Sequence, residues 1–449
     1  MTGERGAGSR RLLFVAGSAH RLGGLATWLD YLLPGLDARG WLPVLGLVEG
    51  PRHHRPERWV AAHPHERWVP IPCSTGTPEG RCRALTKVLA EERPAVALSV
   101  NIPDLFPAIH RARAGGASAR GLMTVHAIEP GIYADASRFR GVMDGAVATN
   151  RLACRLLEAV GGVAGERVFY APYGVEDDRS VARRPGGGSP LRIGYAGRLE
   201  QPQKRVRDLP AIARALDRIG VHHEWMIAGT GPEETALRRG LPAARTTFLG
   251  PLSEDGLSEL LYGRIDALII TSSWETGPLV AWEAMAAGVA VVASRYTGSG
   301  LEGALREGEN ALLFDVADVD TAARQLARLA GDQGLAGRLA AGGRKLLQER
   351  YGRERSLDAW ERVIESVLAL PRPPLTEAPR VPPATGRLER WAGPRRAETL
   401  RKFLGRRGPD AGSAGEWPHS HGLGLERDAF LQRAAELDRE EVTSACSPP

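Results

Sequence analysis

Two glutamates, Glu275 and Glu283, stand in the segment Thr271 to Gly288 with seven residues between them. An apolar run, Ala267 to Ile270, comes just before that segment, and a second, Val289 to Ala293, comes just after. The first run reads as a buried strand, so Glu275 falls in the loop at a strand end and Glu283 inside the helix that follows. In an open α/β sheet the crevice beyond the strand ends is where ligands bind. Gly277 lets backbone approach a ligand closely, and Pro278 suits a first helical turn, where a missing N–H costs nothing. The N–H groups of the first turn, around Leu279 and Val280, lack intrahelical partners and favour anions and hydroxyls. The two carboxylates could then meet different parts of one extended ligand. Two solvated glutamates near a helix start would have the same spacing.

A second set of residues suits a phosphate. Gly194-Tyr195-Ala196-Gly197-Arg198-Leu199 ends another apolar run, and Lys204 follows Arg198 after six residues. Two cations at one strand end could grip a diphosphate, Arg as a fork of donors and Lys as a point charge; a surface basic cluster with Arg205 and Arg207 is the plainer account. Ala228-Gly229-Thr230-Gly231-Pro232 supplies a second loop of close backbone approach. Gly17 to Gly24 joins the first apolar run to the first helix and ends in Gly23-Gly24; it lacks the G-x-G-x-x-G spacing of a dinucleotide fingerprint. His126 follows the run Leu122–Val125, where either a cleft-facing or a purely structural imidazole would fit. His53, His54, His63 and His65 read as solvated loop residues, and Asp318-Val319-Asp320 reads as helix capping.

The elements that must position these residues alternate between short apolar strands and amphipathic helices, twice over. In the first half the expected strands are Leu12–Ala16, Val44–Val48, Ala95–Val100, Leu122–Val125, Ala146–Thr149 and Val168–Ala171. Leu25, Trp28, Leu29, Leu32 and Leu36 fall at helical spacing between the first two. The second half restarts with Leu191–Ala196, then Trp225–Ala228, Thr247–Leu249, Ala267–Ile270, Val289–Ala293 and Ala311–Phe314. Such alternation implies two doubly wound parallel sheets. The expected division is a flexible start (1–10), a first Rossmann-like domain (11–177), a linker (178–190), a second Rossmann-like domain (191–350), a closing helix (351–370) and a tail (371–449) that is mostly disordered.

The chain carries 59 basic and 53 acidic residues, and Thr385 to Arg407 accounts for the whole excess of six. A global nucleic-acid footprint is therefore not expected. Four scattered cysteines with no C-x-x-C pair argue for a reducing compartment and against a structural zinc site. No stretch has transmembrane length, so the expectation is a cytoplasmic protein, soluble or peripheral to the inner face of a membrane.

Taken in order, Gly197-Arg198-Leu199 with Lys204, Ala228 to Pro232, Phe248-Leu249-Gly250 and the E-x7-E segment resemble the retaining GT-B glycosyltransferases of the GT4 family (glycosyl transferases group 1). The resemblance spans Leu12 to Leu368 and includes Gly23-Gly24, His126 and Ala171-Pro172-Tyr173-Gly174-Val175. It implies an α/β GT-B fold, two doubly wound domains facing across a cleft, with a C-terminal helix crossing back. It also implies a retaining transfer from a nucleotide-sugar, UDP- or GDP-linked, that needs no metal or other cofactor. Arg198 and Lys204 would hold the diphosphate, Glu283 the ribose hydroxyls, and Glu275 with the backbone of Gly277, Pro278, Leu279 and Val280 the donor sugar. The base would lie near Pro251-Leu252. Gly197, Gly229 and Gly231 would line the donor, while His126 and Gly23-Gly24 would face the reacting centre.

Many relatives carry E-G-F-G where this chain has Glu275-Thr276-Gly277-Pro278, so the sugar-contacting turn differs and leaves the sugar open. The acceptor is likewise open. A GT-B epimerase would need an acid/base set not found here, and a non-catalytic sugar-nucleotide-binding protein would not require Arg198, Lys204, Glu275 and Glu283 together. In the basic tail, Trp391, Leu400, Phe403 and Leu404 lie among the arginines. A weak contact of Thr399–Gly405 with an anionic membrane is one expectation; a solvated tail is the other.

Overall fold

A computed structural model describes residues 10–18, 24–50, 55–176, 190–374, 387–407 and 426–440. Seven parallel strands form the first sheet: β1 (Arg11–Gly17), β2 (Leu42–Val48), β3 (Trp68–Ile71), β4 (Val96–Val100), β5 (Arg120–Val125), β6 (Gly145–Ala148) and β7 (Val168–Tyr170), in the order β3-β2-β1-β4-β5-β6-β7. Six more form the second: β8 (Leu191–Ala196), β9 (His223–Ala228), β10 (Thr246–Gly250), β11 (Ala267–Ile270), β12 (Ala290–Ser294) and β13 (Leu312–Phe314), in the order β10-β9-β8-β11-β12-β13. Central strands such as Val96–Val100 and Ala267–Ile270 are buried at every residue, because helices cover both faces of a parallel sheet and leave no polar side.

Every strand expected from the sequence is present, its ends displaced by no more than two residues. The additional strand is β3, whose Trp-Val-Pro-Ile sits at a sheet edge and buries only Ile71. A proline is compatible with an edge, where the missing donor breaks no ladder.

The helix Arg353–Ala369 returns from the second sheet and packs on the first domain. Trp360 lies 4.9 Å from Trp28, and Ser356 Oγ bonds Tyr31 Oη at 3.0 Å and the Pro172 carbonyl at 2.7 Å. Arg39 reaches Glu354, Asp358 and Glu361 on that helix. The two crossings touch at a Val175–Gly352 bridge, where Val175 N–H donates to Tyr351 O at 2.9 Å. The linker expected at 178–190 and the start at 1–10 lie almost wholly outside the described residues.

From Pro371 on, the described residues include two helices: Arg387–Leu404, kinked at Gly393 (φ 73°), and Arg427–Leu437. Each buries a narrow face that average composition hides. The first turns Ala397, Glu398 and Arg401 inward, the second Phe430, Ala434 and Leu437. His63 and His65 also differ from the solvated loop residues expected: both lie beside Trp59, and His63 Nδ1 is 2.7 Å from Asp30. Asp318 does cap its helix, accepting from Thr321 N at 2.9 Å.

Candidate active site

In the second sheet the strand order reverses between β8 and β11, so the loops that leave their carboxyl ends diverge and open a crevice. Those loops carry Arg198 and Lys204 on one side and Glu275 on the other. Three glycines allow the loops to pack there. Gly197 (φ 152°) and Gly229 (φ 128°) adopt conformations that suit glycine. A Cβ on Gly229 would stand 1.9 Å from the Gly197 carbonyl oxygen, and one on Gly231 would stand 2.3 Å from the Leu199 oxygen. Below them Tyr195 Oη donates to the Arg198 carbonyl at 2.9 Å.

Lys204 Nζ lies 2.6 Å from Glu275 Oε1, which also accepts from Ser272 Oγ at 2.6 Å. Gln203 joins this pair to Arg198. Its Nε2 donates to the Trp274 carbonyl at 3.0 Å and to Glu275 Oε2 at 3.3 Å, while its Oε1 accepts from Arg198 at 2.8 Å. The Glu275 residue is 6% exposed. Arg198 by contrast reaches into solvent and pairs with Glu200. The result is a buried carboxylate held by an ammonium, with a guanidinium beside it at the mouth of the crevice. An ammonium has three donors, so Lys204 can hold Glu275 and still donate to a phosphate.

Glu283 is on the helix Leu279–Ala286, which is buried at every residue but Val280, and it is more deeply buried than a rim position implies. Tyr262 Oη donates to Glu283 Oε2 at 2.8 Å. Pro278 precedes that helix as its N-cap, and Gly277 (φ 136°) passes beside the Tyr173 ring. At the end of β10 the Gly250 carbonyl accepts from Gly229 N at 2.7 Å, which sets Pro251 and Leu252 beside the same loops.

The first domain meets this rim directly. A Cβ on Gly24 would lie 3.2 Å from Leu279 Cδ1; Gly23 lies outside the described residues. Thr276 Oγ1 donates to the His126 carbonyl at 2.7 Å, and Asn150 Nδ2 donates to the Gly298 carbonyl at 2.9 Å. The Thr276 position, where the chain departs from E-G-F-G, is thus an interdomain contact. The His126 imidazole is committed on both sides, to Tyr173 Oη at 2.7 Å and Thr124 Oγ1 at 2.8 Å, and Trp28 lies against it. Burial pushes its pKa down to about 3, so it is neutral at physiological pH.

The sequence reading missed Gln203, Ser272, Tyr262 and Glu302. Gln203 and Ser272 are close in sequence to Lys204 and Glu275, and adjacency was the available signal. Glu302 gathers Tyr170, Arg350 and Tyr351 and accepts from Arg151 N at 2.8 Å; those partners come from distant segments. Among the described residues no group of three or more His, Cys, Asp or Glu is placed to hold a metal ion.

Two parallel-sheet domains facing across a cleft, with a helix crossing back, define a GT-B fold. Residues 190–332, within the second domain, match the family model for glycosyl transferases group 1. The chain is 38% identical over 124 residues to glycogen synthase of Mycobacterium tuberculosis, covering 27% of this chain and 29% of that one. It is 30% identical over 228 residues to D-inositol 3-phosphate glycosyltransferase of Geodermatophilus obscurus, covering 46% and 48%. The matched segments thus span less than half the length of either relative. The solved structure of Anabaena HepE in complex with UDP superposes with a TM-score of 0.64 at 17% identity, covering 79% of this chain and 100% of that one.

Proposed function

We propose that this chain is a retaining, metal-independent glycosyltransferase that moves a sugar from a UDP- or GDP-sugar to an acceptor hydroxyl. The observation that carries the reading is the Lys204–Glu275 pair at the switch point, with Arg198 linked to it through Gln203. HepE, solved with UDP and with UDP-glucose, shares the fold, and the Geodermatophilus obscurus relative is a glycosyltransferase by name.

In the proposed reaction the bond between the anomeric carbon and the β-phosphate oxygen breaks, and its electron pair stays on phosphate. Arg198, Lys204 and the start of the helix Leu279–Ala286 stabilise that charge without reorganising. This supports metal independence, because two fixed cations and a helix start do the work a divalent ion would do. The acceptor oxygen bonds to the anomeric carbon on the same face, and its proton passes to the leaving phosphate oxygen. Glu275 orients the donor sugar's hydroxyls, and Glu283, steadied by Tyr262, is the ribose group. Neutral His126 holds the Tyr173 and Thr276 turn against the reacting centre, and Gly24 brings the first domain's helix start to the donor.

The test is a donor panel assayed for nucleotide release, with chelator present, and with the product anomer assigned by NMR. Lys204→Ala should lower turnover about a hundredfold or more while the protein stays folded. Full transferase activity in that variant would remove the diphosphate role. An isomerised donor without transfer would point instead to an epimerase.

A further inference from the structure

The helix Arg387–Leu404 sorts its charges by side. Its two carboxylates both face the protein. Glu398 is fully buried and accepts from Thr75 Oγ1 at 2.8 Å and Thr77 Oγ1 at 2.5 Å, at the start of the helix Pro78–Glu92. Glu389 is buried against Arg401. Arg83 adds bonds to Thr399 Oγ1 at 3.1 Å and to the Arg395 carbonyl at 2.6 Å. The segment is therefore docked on the first domain, with its orientation set by polar contacts.

What remains outside is basic and apolar. Arg387, Arg390, Arg395, Arg396, Lys402, Arg406 and Arg407 are exposed, and no acidic residue in 387–407 is exposed with them. Phe403 is 87% exposed, Trp391 82%, Leu404 57% and Leu400 38%. Leu400, Phe403 and Leu404 recur at i, i+3 and i+4, so they share one helix face, which borders the buried Ala397 and Arg401. A fold that only needed a solvated tail would gain nothing from a phenylalanine and a tryptophan held in water.

We infer that this face docks the protein on an anionic lipid bilayer. The exposed cations match the charge of acidic headgroups, and the exposed Phe403, Leu404 and Trp391 match the boundary between headgroups and acyl chains. Lipid fits better than a purely polyanionic partner, because cations alone would serve the latter. The inference is independent of the donor site, which lies in the second domain.

The experiment uses the full chain with vesicles of phosphatidylcholine alone and with about 30% phosphatidylglycerol, at about 0.1 and about 0.5 M salt. Co-sedimentation should occur with the anionic vesicles and fall at high salt. Trp391→Ser combined with Phe403→Ser should weaken it about tenfold or more, with circular dichroism and thermal unfolding unchanged because both side chains touch solvent. A short duplex RNA offered to the same proteins separates lipid insertion from plain charge attraction. Absence of binding, equal binding to both vesicle types, no loss in the double variant, or RNA binding as tight as vesicle binding would each overturn the inference.

Discussion

At the scale of single residues, the site joins groups whose charge depends on their setting. His126 illustrates this. Its ring accepts or donates only to hydroxyls, of Tyr173 and Thr124, and burial pushes its pKa down to about 3. In the unfolded chain an imidazole titrates near about 6.5. The folded value is the lower one, so the stabilising contribution of neutral His126 is complete above that ordinary value. It is lost progressively as pH falls from there toward the folded value. By about pH 4.5 the loss amounts to about 3 kcal/mol. Unfolding of the wild type should therefore show an acid limb that His126→Gln flattens, and the His126 ring protons should not titrate by NMR between about pH 5 and 8. A midpoint near the ordinary value would show the ring to be wetter than its surroundings indicate. The same argument makes a positively charged His126 the wrong partner for a developing positive charge at a sugar carbon, while the neutral ring can position Tyr173 without that cost.

At the scale of elements, the loops after β8 and β9 are one unit. Gly197 N–H donates to the Ala228 carbonyl at 3.0 Å, and Leu199 N–H donates to the Thr230 carbonyl at 3.0 Å. Gly229→Ala places a methyl 1.9 Å from a backbone carbonyl at a φ of 128°, so the loop must shift and carry Arg198 with it. The expected cost is about 2–3 kcal/mol of stability, with weaker nucleotide binding as Arg198 loses its place. Thermal unfolding and calorimetry on one sample would test both; unchanged binding would uncouple the loops. This loop pair also marks how far the sequence could be read. Strands such as Ala267–Ile270 were legible because a parallel strand buried on both faces is an uninterrupted apolar run. The glycine loops were legible because strand ends in such sheets are where backbone meets ligand. The half-exposed edge strand Trp68–Ile71 lacks that run, and the tail helices hide narrow buried faces inside an Arg- and Pro-rich average. The partners of Glu302 and Tyr262 were not legible, since hydrogen bonds between remote segments leave no local period.

At the scale of the whole molecule, the cleft is held by more than the two crossings at Val175 and Gly352. The helix Arg427–Leu437 seats Phe430 on Tyr133 in the first domain, with ring centroids 5.3 Å apart. At its end Asp438 reaches the second domain, where its carboxylate accepts from Gly298 N at 2.7 Å, Gly300 N at 3.1 Å and Leu301 N at 2.9 Å. Arg427 lies over the Trp274 ring and pairs with Glu129. The loop that Asp438 clasps is the one against Glu275: Glu275 N–H donates to the Thr297 carbonyl at 3.1 Å, and a Cβ on Gly298 would stand 2.1 Å from the Glu275 oxygen. The tail helix therefore spans both domains beside the proposed donor site. Removing the carboxylate leaves the buried N–H groups of Gly298 and Leu301, and the part-buried one of Gly300, without their acceptor, at a cost of about 1–3 kcal/mol. Asp438→Ala should accordingly speed hydrogen exchange at residues 298–301 and weaken donor binding, while the amides of β11 and β12 stay protected. If exchange at 298–301 is unchanged, the helix covers the first domain without bracing the second. If the β11 and β12 amides open as well, Asp438 supports the whole second domain rather than the cleft alone.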